Sequence, residues 1–111
     1  MNETPEAGED DCPLDQAPAP PGAIVRVLKI VNQKGLHARA SAKFVQTVEK
    51  FDADVRVSRC GESVGGTSIM GLMMLSAGPG TSITVTVAGR EGAEVLAALE
   101  SLVNGRFGED L

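Results

Sequence analysis

The 111-residue sequence contains no Trp and no Tyr, so its three Phe are its only aromatic residues. Proteins that bind single-stranded nucleic acid stack bases on aromatic side chains, and proteins that bind phosphate backbones need clustered positive charge. The formal net charge of this chain is −5. We therefore expect no nucleic-acid partner, and the chain length suits a single domain.

Long apolar runs and metal ligands are also scarce. No apolar run approaches the roughly 20 residues that a membrane span needs, and no basic segment followed by an apolar one marks a secretory signal. One His and two widely separated cysteines, Cys12 and Cys60, cannot form a tetrahedral metal cage within one chain. We expect a small soluble protein of the cytoplasm, with no membrane partner, no metal and no cofactor.

Acidic residues and prolines are concentrated at the N-terminus. Residues 1–23 hold six Asp and Glu, five of the six prolines and no Lys or Arg. Such a segment cannot bury enough apolar surface to offset the entropy lost on ordering. We predict a disordered acidic tail over 1–23 and a folded domain over 24–111, in which ten basic residues nearly balance nine acidic ones.

The rest of the chain alternates between strand and helix patterns. Strands are predicted where β-branched residues cluster or apolar and polar residues alternate, and helices where apolar residues recur every three or four positions. The predicted elements are strand 24–31, helix 38–51, strand 53–58, strand 62–65, helix 67–76, strand 83–88 and helix 95–103, the last ending at Asn104-Gly105. The order β-α-β-β-α-β-α, with one apolar face on each element, indicates a two-layer α/β sandwich.

The single histidine, His37, lies where the first strand gives way to the first helix, after a turn that Gly35 helps to form. Unpartnered N–H groups and the helix dipole make such a position favourable for an anion, and Arg39 adds a full positive charge. The same field favours the neutral imidazole, which is the nucleophilic form. From the residues alone, a phosphate or carboxylate site and an ordinary surface histidine both remain open.

Two segments carry a family resemblance. Gly-Leu-His-Ala-Arg at 35–39 and Ser-Ile-Met-Gly-Leu-Met at 68–73 resemble the two motifs of HPr, the histidine-containing phosphocarrier family of the bacterial phosphotransferase system. The match extends over about residues 24–104 and agrees with the order of elements. It implies an open-faced sandwich in which three helices cover a four-stranded antiparallel sheet, and an HPr-like domain over 24–111.

The resemblance also implies a phosphoryl relay. His37 would accept a phosphoryl group on Nδ1 from enzyme I, which is charged by phosphoenolpyruvate, and pass it to a histidine of an enzyme IIA protein or domain. Arg39 would stabilise the transferring group. The chain would then be a monomeric carrier within a phosphotransferase system rather than a free-standing enzyme.

The second motif suggests docking and regulation. Ile69, Met70 and Met73 would form an apolar docking patch, with Met70 and Met73 as its exposed pair because Met adapts to several partners. Ser68 would be a regulatory site phosphorylated by an HPr kinase/phosphorylase. The alternative is that Thr67 or Ser68 only caps the short helix.

Two other functions remain open at this point. A carrier of the nitrogen-related phosphotransferase branch would use His37 without feeding sugar transport. A non-catalytic small-molecule-binding module of the same architecture would not need His37 at all. Labelling by phosphoenolpyruvate and enzyme I would separate the second from a carrier, and the identity of the recipient would separate the two carriers.

Overall fold

The computed structural model describes residues 21–109, so nearly all of the predicted tail lies outside the described residues. The elements are β1 (Ile24–Lys29), α1 (Ala38–Val48), β2 (Asp54–Arg59), β3 (Glu62–Gly65), α2 (Ile69–Met74), β4 (Ser82–Ala88), α3 (Gly92–Asn104) and a 3₁₀ turn (Arg106–Gly108). The predicted order β-α-β-β-α-β-α is confirmed, and the 3₁₀ turn is an addition to it.

The strands form one antiparallel sheet in the order β1-β4-β2-β3. Val57 of β2 lies opposite Val85 of β4, and both are fully buried. Because side chains alternate across a strand, the neighbours of these valines point to the other face of the sheet. That face carries exposed side chains such as Val25 and Arg56. The predicted open-faced sandwich of a four-stranded antiparallel sheet and three helices is therefore confirmed.

The core lies between the sheet and the helices. Phe44 of α1, Leu72 of α2 and Leu99 of α3 are fully buried there, and burying a side chain of this size contributes about 1.5–3 kcal/mol. The helix α1 packs against both α2 and α3, while α3 contacts β1 and β4. At the edge of this layer, Arg26 forms an ion pair with Glu100 of α3 at 2.6 Å.

Several element ends differ from the prediction. The strand β1 ends at Lys29, two residues before the predicted end at position 31. Ile30 belongs to the loop that follows, and its N–H donates to the carbonyl of Thr81 at 2.8 Å. The helix α1 ends at Val48, three residues before the predicted end at Phe51. The N–H of Phe51 donates to the Val48 carbonyl at 3.1 Å and closes a turn after the helix. These ends are set by tertiary contacts and turns rather than by apolar spacing.

The segment after α3 folds back over the domain. Phe107 is fully buried although its φ of 55° lies in the left-handed region. Its carbonyl oxygen accepts a hydrogen bond of 2.6 Å from the Nζ of Lys43 in α1. These two anchors bring Glu109 to the beginning of α1.

The longest helix, α3, has 13 residues, whereas a membrane-spanning helix needs about 20 apolar ones. None of the helices within residues 21–109 is long and apolar enough to cross a membrane. The same stretch contains no group of three or more His, Cys, Asp or Glu side chains that could hold a metal ion.

Candidate functional site

His37 is the N-cap of α1. Its backbone is extended, and its Nδ1 accepts a hydrogen bond of 3.3 Å from the backbone N–H of Arg39. That distance is long for such a bond, so the Nδ1 lone pair is only weakly engaged. The preceding turn depends on Gly35, whose φ is +67°, and is fastened by a 2.9 Å hydrogen bond from the N–H of Leu36 to the carbonyl of Ala77.

The other ring nitrogen of His37 faces a carboxylate. Nε2 contacts Oε2 of Glu109, which lies 72 positions later in the chain. The second carboxylate oxygen, Oε1, accepts a 3.1 Å hydrogen bond from Nδ2 of Asn32, and the same Nδ2 donates to the carbonyl of Gly35 at 2.9 Å. Asn32 is fully buried, so it forms a fixed support between the turn before His37 and the carboxylate.

This environment keeps Glu109 ionised. The hydrogen bond from His37 lowers the pKa of Glu109 most, and burial opposes it. The hydrogen bond from Asn32 and the electrostatic attraction to His37 and Lys34 lower the pKa further. An ionised carboxylate only accepts hydrogen bonds, so Nε2 of a neutral His37 must carry the proton. The lone pair of the ring is therefore on Nδ1, beside the first turn of α1.

Arg39 supplies positive charge at the same end of the helix. Its side chain is exposed, and within residues 21–109 its guanidinium forms no hydrogen bond or ion pair. Its backbone N–H, in contrast, caps the helix through His37. The predicted pair of His37 and Arg39 therefore comes together at the start of α1, with a guanidinium that is available to an incoming anion.

Ser68 is the N-cap of α2. Its Oγ accepts a 3.0 Å hydrogen bond from the N–H of Gly71, and its side chain is exposed. The capping role that the sequence left as an alternative is therefore present. An exposed hydroxyl that caps a helix is still open to modification, so the predicted regulatory role is not tested by this geometry.

The helix α2 presents an apolar surface on one side. Ile69, Met70 and Met73 are all exposed, and the docking role expected of them stays a prediction. Met74 was not predicted, but its relative exposure of 70% equals that of Met70 and exceeds the 39% of Met73. We call the four side chains Ile69, Met70, Met73 and Met74 the methionine patch.

Comparison with known proteins decides the family. Residues 24–105 match the family model PTS-HPr, the phosphorylation-site component HPr of the phosphotransferase system. The chain is 50% identical over 82 residues to phosphocarrier protein HPr of Neisseria meningitidis serogroup B, covering 74% of this chain and 92% of that protein. The chain belongs to the HPr family.

Two further similar proteins support the assignment of the chain to the HPr family. Phosphocarrier protein HPr of Cupriavidus necator is 48% identical over 86 residues, which cover 78% of this chain and 97% of that one. The crystal structure of HPr-C-His from Thermoanaerobacter tengcongensis superposes with a TM-score of 0.76 at 36% identity, covering 79% of this chain and 99% of that chain. The protein is thus a phosphocarrier of the phosphotransferase system.

The contact between His37 and Glu109 was not predicted from the sequence. His37, Arg39 and Ser68 lie inside the family match, whereas Glu109 lies beyond its last residue, 105. No local pattern singles out Glu109 or its support Asn32. The only available signal was an acidic residue near the end of a chain with one histidine.

Proposed function

We propose that His37 is the residue on which this HPr-family protein carries the phosphoryl group, with enzyme I as donor and enzyme IIA proteins or domains as recipients. The observation that carries the proposal is the position of His37 as the N-cap of α1, with its Nδ1 lone pair at the helix N-terminus. A phosphocarrier needs one nucleophile that several partners can reach. His37 is the only histidine in the chain, and a quarter of its side-chain surface is exposed.

The chemistry at Nδ1 is a direct displacement. The Nδ1 lone pair forms the new P–N bond while the bond between phosphorus and its carrier atom on enzyme I breaks, and the donor atom keeps the electron pair of that bond. Such transfers depend on in-line positioning and charge stabilisation. The helix N-terminus and Arg39 supply positive charge beside Nδ1. Transfer to enzyme IIA reverses the same steps.

The methionine patch is proposed as the docking surface for both partners. Met side chains are flexible and polarizable, so one patch can fit surfaces of different shape. The helices α1 and α2 are in contact, which keeps the patch and His37 on one rigid unit. Ser68 begins α2 next to Ile69 and Met70, so phosphorylation of Ser68 by a kinase would place a dianion beside this patch.

The function is tested by labelling the full chain with phosphoenolpyruvate and purified enzyme I. We expect one phosphoryl group per chain, stable in base and lost in mild acid because protonation of the imidazole weakens the P–N bond. His37→Ala should accept none, while Arg56→Ala, on the open face of the sheet, should be labelled like the parent protein. Acid-labile phosphate on His37→Ala would overturn the proposal.

The recipient is tested by adding enzyme IIA proteins to the labelled chain. Discharge to a IIA protein of a sugar transporter is expected. Discharge confined to a IIA protein of the nitrogen-related branch would assign the chain to that branch, and retention of the label with every IIA protein would contradict a relay role.

A further inference from the structure

We propose that Cys12 and Cys60 form a reversible disulfide that links the acidic N-terminal segment to the turn between β2 and β3, and that this link weakens docking to enzyme I. Cys60 is disulfide-bonded, and no cysteine within residues 21–109 is a free thiol. The chain has two cysteines, so Cys12 is the partner that a bond within one chain requires. The bond itself does not depend on the proposed function, but its effect on docking rests on that function.

Cys60 lies at the exposed tip of the β2–β3 hairpin. Arg59 pairs with Glu62 at the ends of the two strands, so Cys60 and Gly61 are the two residues of the turn. Their φ angles are 55° and 82°, which suits a tight hairpin turn with two left-handed residues. Asn, Asp and Gly are the usual residues there, and a thiol contributes nothing to the turn. Because Cys60 is exposed, small oxidants can reach it.

The chain between Cys12 and the folded domain is long enough to reach this turn. Ile24 lies opposite Val87 of β4, and Val87 lies opposite Val55 of β2, so two strand spacings separate Ile24 from Val55. Cys60 comes five residues after Val55 along the direction of β2. With strands about 4.8 Å apart and a rise of about 3.3 Å per residue, Ile24 is about 20 Å from Cys60. From Cys12 to Ile24 the chain advances 12 residues, which span up to about 40 Å when extended. The bond therefore closes without any change in the sheet.

The hairpin tip is fastened to the C-terminal end of α2, the helix that carries the methionine patch. Arg59, next to Cys60, donates from Nη1 to the carbonyl of Leu75 at 3.1 Å. Leu75 is the C-cap of α2 and directly follows Met74, whose relative exposure is 70%. The strand β3, which follows the turn, also packs against α2. A segment linked to Cys60 is therefore held at the same end of the domain as Met74.

The linked segment carries concentrated negative charge. Residues 1–20 hold six Asp and Glu and no Lys or Arg, and Asp10 and Asp11 immediately precede Cys12. A disulfide to Cys60 brings these carboxylates to the hairpin tip, close to an apolar surface that must lose its water when a partner docks. Carboxylates at such a surface are costly to desolvate and repel acidic groups of a partner. We therefore expect the oxidised chain to dock more weakly than the reduced chain.

The bond forms by thiol–disulfide exchange with a small disulfide such as oxidised glutathione. The thiolate of Cys60 attacks one sulfur of the small disulfide, whose S–S bond breaks and releases one thiolate. The thiolate of Cys12 then attacks the Cys60 sulfur of the mixed disulfide, and the second small thiolate leaves. Two protein thiols are oxidised and one small disulfide is reduced, and the released thiolates take up the two protons that the cysteines lost. Exposed disulfides are the readily reduced, regulatory ones, so excess thiol reverses the step.

The bond is tested on the full chain with oxidised glutathione as the oxidant. The remaining thiols are alkylated, and the chain is then digested without reductant. Mass spectrometry should find one pair of peptides that joins Cys12 to Cys60 and separates after dithiothreitol treatment. Size-exclusion chromatography should show the oxidised chain at the size of the reduced one. Two thiols that stay open to alkylation, glutathione adducts on both cysteines, or a dimer joined through Cys60 would each overturn the proposal.

Phosphoryl uptake from enzyme I tests the effect on docking. We expect oxidation to raise the KM of enzyme I for the carrier about 3- to 10-fold at little changed kcat, and dithiothreitol should restore the original value. The double variant Cys12→Ser/Cys60→Asn controls for other effects of the oxidant, because asparagine suits the left-handed turn, and its KM should not change. Asp10→Asn/Asp11→Asn keeps both cysteines but removes two charges, so its oxidised form should show a smaller rise.

The outcomes separate this inference from the proposed function. An unchanged KM in the fully oxidised chain would overturn the effect on docking, as would an equal rise in Cys12→Ser/Cys60→Asn. An undiminished rise in oxidised Asp10→Asn/Asp11→Asn would overturn the electrostatic cause of the effect. Failure of the reduced parent protein to accept phosphate would overturn the proposed function instead, since the disulfide is detected without enzyme I.

Discussion

Gly35 and Ala77 are in such close contact that a Cβ on Gly35 would lie less than 3.0 Å from the Ala77 carbonyl oxygen. That same oxygen accepts the hydrogen bond from the N–H of Leu36, the residue before His37. The loop that follows α2 therefore supports the turn that positions the histidine. Only glycine combines this close approach with a φ of +67°.

Replacing Gly35 should destabilise the fold and disturb the site together. Gly35→Ala must strain the left-handed backbone, at about 1–2 kcal/mol, and also displace the Ala77 carbonyl. Gly61→Ala is the matched control, because Gly61 has a φ of +82° but no atom of residues 21–109 lies within 4 Å of its Cβ position. Urea unfolding should show a larger loss of unfolding free energy for Gly35→Ala than for Gly61→Ala. Equal losses would mean that the contact with Ala77 contributes nothing.

Arg39 should matter for transfer and not for folding. Arg39→Ala removes a guanidinium that has no partner within residues 21–109 but keeps the backbone N–H that His37 caps. The rate of phosphoryl uptake should fall by a factor on the order of 10 to 1000, because the transferring group loses a cation that stabilises its charge. The melting temperature should change little. Arg56→Ala controls for general loss of charge, and parent-like kinetics of Arg39→Ala would leave Arg39 with no part in transfer.

Ser68→Asp should impair docking without loosening the helix. Aspartate is a good N-cap and its charge is favourable at a helix N-terminus, so thermal stability should stay nearly constant. A charge beside the methionine patch is costly to desolvate and is repelled by acidic partner surfaces. We expect a raised KM of enzyme I for the carrier at little changed kcat. Ser101→Asp, at an exposed position of α3, is the control. Ser68→Asp kinetics equal to those of the parent would leave Ser68 as a helix cap only.

The order of elements was predictable because it is encoded locally. In β2 and β4 the apolar and polar residues alternate within one short segment. Phe44, Val45 and Val48 likewise recur at helical spacing within one short segment. The position of His37 at a helix start follows in the same way from the glycine turn before it. Such features need no knowledge of distant residues, so a single sequence reveals them.

The contact between Glu109 and His37 joins residues that are far apart in the sequence. Glu109 reaches His37 only because Phe107 is buried, and a lone apolar residue between Arg106 and Gly108 has no periodicity to show this. Its left-handed backbone is also unusual for a phenylalanine. The sequence therefore predicts a histidine at the start of α1, but not the carboxylate that contacts it.

The stability contributed by Glu109 should depend on pH in a defined direction. Its pKa in the folded protein lies below the ordinary value of 4.5, with the hydrogen bond from His37 as the main cause. The unfolded chain therefore takes up this proton first as the pH falls, and stability that is fully present above about pH 5 is lost as the pH passes through the lowered pKa of the folded state. The difference in unfolding free energy between the parent and Glu109→Gln should shrink below pH 4.5. Glu62→Gln corrects for the change in net charge. A difference that stays constant or grows on acidification would show that the Glu109 carboxylate is not held ionised by His37.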